Sequence, residues 1–411
     1  MPASLNAQIL LGALLGLSLG GLFAYLGPEA SIARQGLYVC DLIGTVFIDM
    51  LKMVLSPLVF SSIVVGVANL RLHSQMHLVW RYTLGFFLCS SALAILLGLG
   101  AANLFAPGKG LSLALFTQTR QPITAQNMSL SEFATHFFHG LFVNPFAALA
   151  QGNVMAIVIF ALLVGAAIVA GGERYRNILV LTQEFLELTL RIVGWIMRLS
   201  PLGVMALLAK LVATQKLELM HSLLQFIGVV VGTTLVHGFI LLPLLLYLLT
   251  GVGFLRFFRG AREALMTAFA TSSSSATLPV TLRCTEQHLH VKPEIAGFVV
   301  PLGATANMDG TALYEAQAAL FVANLAGVDL NFGQQLAVFF TSMVAAIGAP
   351  GIPSAGMVTM IMVLQSVGLP VEAIAILLPI DRLLDTVRTM VNVEGDMIGS
   401  LIVQKLTTGR K

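Results

Sequence analysis

Long runs of hydrophobic residues, separated by short polar segments, make up most of this 411-residue chain. Representative apolar stretches cover residues 9–26, 86–105, 154–170 and 226–249. About 20 apolar residues span the hydrocarbon core of a bilayer as a helix, whereas the strands of a membrane barrel would alternate polar and apolar positions. The pattern therefore predicts an all-α, multi-pass membrane protein. Residues 9–26 are expected to be a first spanning helix, because they lack the basic flank and cleavage site of a signal peptide.

The second half of the chain differs, because polar or helix-breaking residues stand in the middle of its apolar segments. The interruptions are Thr271–Pro279 (TSSSSATLP), Asn307–Thr311 (NMDGT) and Gly348–Gly356 (GAPGIPSAG). Non-helical backbone at membrane depth is tolerated only where it is buried in protein or lines a cavity. Paired interruptions are the best sequence pointer to the binding site of a secondary transporter. Two of them indicate re-entrant hairpins, and proline kinks in plain spanning helices are the alternative.

The chain is unusually poor in charge. Only 10% of its residues are charged and 57% are hydrophobic, with a mean hydropathy of +0.91, whereas soluble domains are roughly 25% charged. The three cysteines, Cys40, Cys89 and Cys284, have no paired spacing, so neither a disulfide framework nor a cysteine metal site is expected. The eight histidines are scattered, which favours loop or interface roles over metal binding. The formal net charge of +3 describes loops and does not argue for nucleic acid.

Basic residues near the ends of the apolar stretches predict the orientation, because cytoplasmic loops are enriched in Lys and Arg. Four basic clusters would be cytoplasmic: Arg71 and Arg81; Arg174 and Arg176; Arg256, Arg259 and Arg262; and Lys405, Arg410 and Lys411. The connection between residues 107 and 144 has only Lys109 and Arg120 as basic residues, so it is expected outside. This pattern places both termini in the cytoplasm.

The most charged segment of this apolar chain is DRLLDTVRTMVNVEGD, residues 381–396. In a helix of 3.6 residues per turn, six of its polar groups lie within roughly 60° of Asp385, and Glu394 lies on the opposite side. Those groups are Asp381, Arg382, Arg388, Thr389, Asn392 and Asp396. Each ionised group at the bilayer centre costs at least about 2.5–3.5 kcal/mol on insertion scales. The cluster therefore indicates a partner, a pathway or a ligand.

A structural ladder of ion pairs through Asp381, Arg382, Asp385 and Arg388 is the alternative for this segment. Such a ladder would neutralise part of the charge without binding anything. It leaves Asn392 and Asp396 unexplained, and a carboxylate with an amide one turn away offers oxygen ligands that suit a hard cation. The segment therefore favours binding over a purely structural role.

At these residues the sequence resembles the glutamate transporter family, the dicarboxylate/amino acid:cation symporters. Five motifs in one order carry the resemblance over nearly the whole chain: LKMVLSPLVFSSIVVGVANL (51–70), TSSSSATLPVT (271–281), PLGATANMDGTALYEA (301–316), AAIGAPGIPSAGMVTM (345–360) and DRLLDTVRTMVNVEGD. We expect a bacterial homologue whose motifs are close to those of the eukaryotic excitatory amino acid transporters.

The resemblance implies an elevator-type homotrimer, with eight transmembrane helices and two re-entrant helical hairpins in each subunit. Residues 1–75 would form scaffold helices 1 and 2, and residues 143–215 scaffold helices 4 and 5. The moving transport domain would combine helix 3 and an external loop (76–142) with helices 6–8 (216–411). Hairpin 1 is expected at about 257–290 and hairpin 2, the gate, at about 330–368. Their turns would lie at Ser273–Pro279 and Gly348–Gly356.

The same resemblance implies the substrate-binding residues. Arg388 would bind the side-chain carboxylate of an acidic substrate, because its planar fork can pair with a carboxylate bidentately. Asp385 would hold the α-amino group, which succinate lacks, so the pair selects an acidic amino acid. The α-carboxylate would lie at the hairpin tips, where N–H groups and half-helix N-termini favour an anion. Further contacts are expected from Ser273, Ser274, Ser275, Thr311, Gly356, Thr389 and Asn392.

Three sodium sites follow from the resemblance as well. The first would combine Asp396 with backbone oxygens of Gly303, Asn307 and Asn392. The second would combine Asp309 and Asn307 with Ser90 and Ser91. The third would use backbone carbonyls of Thr305, Ala346, Ile347 and Ala349. Proton-driven relatives often carry Asn at the position of Asp396, so this aspartate favours sodium.

Two further charges have roles that rest on the resemblance. Glu315 matches the glutamate that carries a proton in eukaryotic glutamate transporters, and pairing with a neighbouring arginine is the alternative. A carboxyl group in an apolar helix can be carried in its neutral form. Relatives place a supporting arginine at the positions of Ser272 or Thr386, whereas here Arg382 stands one turn before Asp385. Arg382 is expected to pair with acidic groups between substrate steps.

The leading hypothesis is a sodium-coupled symporter for L-aspartate and/or L-glutamate, with proton co-transport, in the bacterial inner membrane. The alternatives are a C4-dicarboxylate symporter, a proton-driven glutamate/aspartate carrier, and a protein that acts chiefly as an anion channel. The expected partners are a small acidic substrate, the lipid bilayer and two further copies of the chain, with no nucleic acid. An enzyme is not expected, because Asp385 and Arg388 form no nucleophile–base arrangement.

Overall fold

The computed structural model describes residues 5–27, 30–69, 77–111, 142–151, 154–214, 217–349, 351 and 353–408. Throughout these ranges the chain is helical, and no strand occurs in them. The α-helices are α1 (Leu5–Leu26), α2 (Ser31–Asn69), α3 (His77–Phe105), α4 (Pro145–Gln151), α5 (Val154–Gly171), α6 (Arg176–Met197), α7 (Ser200–Thr214), α8 (Leu217–Val236), α9 (Leu242–Thr250), α10 (Phe254–Thr271), α11 (Ser274–Arg283), α12 (Pro293–Ala306), α13 (Asp309–Leu325), α14 (Phe332–Gly348), α15 (Ala355–Ser366) and α16 (Ile374–Thr408). This confirms the all-α prediction for the described part of the chain.

Four of the described helical stretches are long and apolar enough to cross a membrane. They are 7–26, 31–68, 78–105 and 219–250, and a fifth span is formed if α5–α6 and α7, which meet at a 51° bend, count as one. The remaining described helices are too short or too polar to qualify, and α14 is apolar but falls short in length. The multi-pass prediction agrees with this result, and the number of eight spans stays a prediction.

The helices pack in two groups. In the first, α2 contacts α5, α6 and α7, and α1 contacts α7. In the second, α3 packs against α13, and α16 packs against α10, α12 and α13. Contacts of α2 with α14 and α15 join the two groups. The division into a fixed scaffold and a moving domain stays a prediction.

Two helix pairs reverse direction at the predicted interruptions. Helix α10 packs on α11, and α14 packs on α15. The first turn is tighter than the predicted Ser273–Pro279. Ser272, the C-cap of α10, has a left-handed backbone (φ 51°), and Ser273 is already the N-cap of α11. The Ser273 side chain accepts a hydrogen bond from the Ala276 N–H at 3.1 Å, so helix resumes before Pro279, which lies inside α11.

Parts of the predicted organisation lie outside the described residues. They include most of the external connection between residues 107 and 144, and the basic residues Arg71, Arg410 and Lys411. Gly27 and Gly172, which follow α1 and α5, have positive φ, a conformation that glycine adopts without steric cost.

Candidate functional site

Arg388 lies at the centre of the charged face of α16. Its side chain is completely buried, and its Nη2 donates to Asp381 Oδ1 at 2.6 Å and to Asp385 Oδ1 at 3.0 Å. Its Cζ lies 4.0 Å from the ring centre of Tyr314 on α13, a cation–π geometry. The Nε and Nη1 atoms have no hydrogen-bond partner among the described residues. The Nη2 atom of the guanidinium is therefore paired with two carboxylates, whereas Nε and Nη1 are left to donate to a ligand.

The second oxygen of Asp385 joins α16 to hairpin 2. Asp385 Oδ2 accepts a hydrogen bond from the Ser354 N–H at 2.8 Å, and Arg382 Nη1 lies 3.6 Å from the same oxygen. The ion-pair ladder through Asp381, Arg382, Asp385 and Arg388 is thus present. Because it leaves Arg388 Nε and Nη1 without partners, the ladder alone does not account for the cluster.

The tips of the two hairpins touch next to this cluster. The carbonyl of Gly351 accepts hydrogen bonds from the Ser273 hydroxyl at 2.7 Å and from the Ser275 N–H at 3.0 Å. Ser354, three residues further on, has a left-handed backbone (φ 59°), which is uncommon for a residue with a side chain. The structure therefore brings the serine run and the second interruption together, as the substrate prediction requires.

The other predicted substrate residues surround Arg388. A Cβ placed on Gly356 would lie 3.4 Å from Arg388 Nη1 and 3.0 Å from Thr311 Cγ2. Asn392 accepts from the Gly310 N–H at 2.8 Å and donates to Thr311 Oγ1 at 3.2 Å. Ser274 and Thr389 are buried, on α11 and α16. These contacts place the start of α13 beside the charged face of α16.

The first predicted sodium site is compact. Asn307 Nδ2 donates to Asp396 Oδ1 at 3.1 Å, and both side chains are buried. A Cβ on Gly303 would lie only 2.1 Å from Asp396 Oδ1, so this close approach requires glycine. For Asn392 the predicted ligand is the backbone oxygen, and its side chain is bonded to Gly310 and Thr311 of α13. The donor set of carboxylate, amide and backbone oxygens suits a hard cation.

The second predicted sodium site is assembled from α3 and α13. Asp309 Oδ1 accepts from Ser91 Oγ at 2.7 Å and from Ser90 Oγ at 3.3 Å, while Ser90 also reaches Asn307 Oδ1 at 3.3 Å. The other carboxylate oxygen, Asp309 Oδ2, lies 3.1 Å from Nε2 of His237. Loop or interface roles were predicted for the histidines, and His237 is fully buried beside Asp309 of a predicted sodium site. A histidine in the middle of the apolar run 226–249 was the available signal.

The third predicted sodium site is less defined. Thr305, Ile347 and Ala349 line one cavity between α12 and α14, and Ala346 is buried on α14. The structure therefore brings these segments together.

Two further buried carboxyl groups lie near these sites. Glu315 Oε1 accepts a hydrogen bond from Thr359 on α15, and its Oε2 has no hydrogen-bond partner in the described ranges. Pairing with a neighbouring arginine, the alternative for Glu315, is thus not what the described residues show. Glu394, predicted on the opposite face of α16, is also fully buried, and a Cβ on Gly238 would lie 3.0 Å from its Oε2.

Comparison with known proteins bears on the family of the chain. The model of the sodium:dicarboxylate symporter family matches residues 5–406. A putative sodium-dependent excitatory amino acid transporter of Caenorhabditis elegans, glt-4, is 31% identical over 96% of this chain and 88% of its own length. Excitatory amino acid transporter 3 is 33% identical in mouse, over 98% of this chain and 84% of its own, and 34% identical in human, over 89% and 78%. The match includes every helix that contributes to the site, so the chain belongs to the sodium:dicarboxylate symporter family and is a transporter, not an enzyme.

Proposed function

We propose that the protein is a sodium-coupled symporter that takes up L-aspartate and/or L-glutamate across the bacterial inner membrane. The observation that carries the proposal is the pairing of the buried Arg388 with Asp385, whose other oxygen accepts the Ser354 N–H next to the contact between the two hairpin tips. The names of its relatives, which are excitatory amino acid transporters, support the substrate class.

The open half of Arg388 is suited to the side-chain carboxylate of the substrate. Its Nε and Nη1 are buried donors without a partner in the described part of the chain, and a buried unsatisfied donor is costly. A carboxylate in front of them would be bound through charge-assisted hydrogen bonds. Gly356 and Thr311 would form the wall of this subsite, since a side chain on Gly356 would approach both Thr311 and Arg388.

The α-amino group of the substrate would bind at Asp385. An ammonium group there would meet a carboxylate that already accepts the Ser354 N–H of hairpin 2. The amino group and the hairpin tip therefore share one acceptor, so substrate binding and the position of the gate are coupled. A C4-dicarboxylate offers no donor to Asp385, which makes this alternative less favourable.

Sodium would be coupled to the substrate through α13 and α16. Asn307 hydrogen-bonds Asp396 and also accepts from Ser90, which reaches Asp309, so one side chain links the two carboxylates of the predicted sites. Asn392 lies on α16, one turn after Arg388. Its side chain accepts from the Gly310 N–H and donates to Thr311 at the start of α13. A cation that neutralises Asp396 and Asp309 would therefore order the backbone that holds the substrate.

Proton co-transport, an elevator movement and a homotrimer complete the proposal. Glu315 would carry the proton, since its carboxyl group is fully buried and hydrogen-bonded to Thr359 of hairpin 2. Movement of α3 and α8–α16 relative to α1, α2 and α5–α7 would transfer the site, and the packing of the helices in two groups is compatible with it.

The test is uptake of labelled L-aspartate into proteoliposomes under an inward sodium gradient, with glutamate, succinate and serine as competitors. Sodium-dependent accumulation that glutamate blocks, and that succinate and serine leave unchanged, is the expected result. Competition by succinate would show that Asp385 does not select an amine. Accumulation driven by a proton gradient without sodium would favour the proton-driven alternative, and non-saturating flux without accumulation would favour an anion channel.

A further inference from the structure

His237 lies at a break in the regular geometry of a helical stretch that is long and apolar enough to cross a membrane. The stretch 219–250 contains α8 and α9, and a π-helical turn, His237–Leu241, joins them. In this turn the N–H of Leu242 donates to the carbonyl of His237, so the hydrogen bond spans one residue more than in an α-helix. π-helical turns are rare and occur frequently at functional sites. The turn therefore indicates that position 237 has a role beyond membrane spanning.

The imidazole of His237 is completely buried and contacts α13. Its Nε2 lies 3.1 Å from Oδ2 of Asp309, and neither side chain has exposed surface. An ionised carboxylate only accepts hydrogen bonds, so Nε2 carries the proton and is the donor. Nδ1 has no hydrogen-bond partner among the described residues. Within the described part of the chain, the one hydrogen bond of the ring therefore goes to a predicted sodium ligand.

The two carboxylate oxygens of Asp309 have different partners. Oδ1 accepts a hydrogen bond from Ser91 at 2.7 Å and lies 3.3 Å from Ser90 Oγ, whereas Oδ2 faces His237. A serine hydroxyl that donates its proton keeps lone pairs with which it can ligate a cation, whereas a donating imidazole nitrogen has none. His237 therefore fixes the orientation of the carboxylate through the oxygen that the serines do not contact.

We propose that His237 is a positioning residue for the second sodium site, which sets the affinity for sodium by orienting Asp309 and contacts neither sodium nor the substrate. Removal of a group that hydrogen-bonds a metal ligand from outside the coordination shell typically lowers metal affinity about ten- to hundredfold. The inference rests on the proposed function, because sodium at Asp309 is part of it. Loss of the ring should weaken sodium binding while the charged face at Arg388 stays intact.

A second polar contact between α8 and α13 provides a matched control. Gln317 Nε2 donates to Thr233 Oγ1 at 3.0 Å, and both side chains are buried. Thr233 lies one turn before His237, and its hydrogen bonds reach none of the predicted sodium ligands. Thr233→Val thus removes a buried polar contact between the same two helices without touching Asp309. If His237 merely held these helices together, the two substitutions should have similar effects.

The test is thermal unfolding of the purified full chain in nanodiscs, titrated with sodium chloride without substrate, while choline chloride keeps the ionic strength constant. A ligand that binds only the folded state raises the unfolding temperature, so this measurement requires neither transport nor substrate. His237→Leu should raise the half-maximal sodium concentration roughly ten- to hundredfold. Thr233→Val should leave that concentration near the parental value.

Two amide variants separate the hydrogen bond from the volume of the ring. The amide nitrogen of a glutamine stands as far along the side chain as Nε2, so His237→Gln should keep the parental sodium dependence. The amide nitrogen of an asparagine stands at the position of Nδ1, which has no partner in the described ranges, so His237→Asn should behave like His237→Leu.

Four results would overturn the proposal: no stabilisation of the parent by sodium, a parental sodium dependence in His237→Leu, equal shifts in His237→Gln and His237→Asn, or a shift in Thr233→Val as large as in His237→Leu. Binding of labelled L-aspartate at saturating sodium is measured on the same variants and should stay close to parental. A parallel loss of that binding would assign His237 to the fold instead. A parent that neither binds nor takes up aspartate would refute the proposed function, while its sodium titration would still decide the role of His237.

Discussion

The contact between Gly303 and Asp396 gives a sharp test of the first sodium site. A Cβ at position 303 would lie 2.1 Å from Asp396 Oδ1, whereas ordinary contact begins at 3.4 Å, so Gly303→Ala must displace the carboxylate by about 1.3 Å. The 3.1 Å hydrogen bond from Asn307 to the same oxygen would then be lost. A hydrogen bond to a charged group contributes about 1.5–3 kcal/mol, which corresponds to a roughly ten- to hundredfold change in affinity.

The assay is aspartate uptake into proteoliposomes as a function of sodium concentration. Gly303→Ala should raise the half-saturating sodium concentration roughly ten- to hundredfold, and high sodium should restore uptake if the fold is intact. Gly297→Ala is the matched control, because it lies on the same helix α12 and its Cβ would meet no atom within 4 Å. The same sodium dependence in both variants would refute the placement of sodium at Asp396.

Three other substitutions test the remaining roles. Arg388→Lys should lower aspartate uptake roughly ten- to hundredfold, because an ammonium group cannot serve Asp381, Asp385 and a bidentate carboxylate together; near-parental uptake would contradict this. Asp385→Asn should weaken aspartate binding roughly ten- to hundredfold, because the ammonium group loses its counter-charge, and an unchanged affinity for aspartate would exclude Asp385 as the amine-binding group. Glu315→Gln should abolish the pH dependence of uptake while leaving its sodium dependence, as measured at several external pH values; an unchanged pH profile would remove Glu315 as the proton carrier.

The sequence predicted the hairpins and the polar face of α16 because both violate the rules for a simple spanning helix. Polar interruptions in apolar segments and charges at membrane depth are stable only where protein buries or pairs them. Such residues therefore predict that their segments pack inside the protein and not against lipid. The turn of hairpin 1 was placed too late because Pro279 was given more weight than the N-cap of Ser273.

The features that the sequence did not predict depend on how distant segments pack. His237 reaches Asp309 only because α8 and α13 lie side by side, which no local pattern encodes. The contact of Arg388 with the ring of Tyr314 likewise requires the register between α13 and α16. Helical periodicity placed Glu394 opposite Asp385, but it could not show that protein rather than lipid covers that side.

The charge of α16 has a consequence for how the protein is made. Among the described helices, α16 is not one of those apolar enough to enter a bilayer on its own, and Asp381, Arg388, Glu394 and Asp396 are fully buried in it. Each such group adds about 2.5–3.5 kcal/mol to the insertion of an isolated helix. The helices that pack against it in its own group, α3 and α8 to α13, all precede it in the chain. Biogenesis should therefore hold these earlier helices in a loosely packed, protease-sensitive state until α16 is synthesised and docks among them.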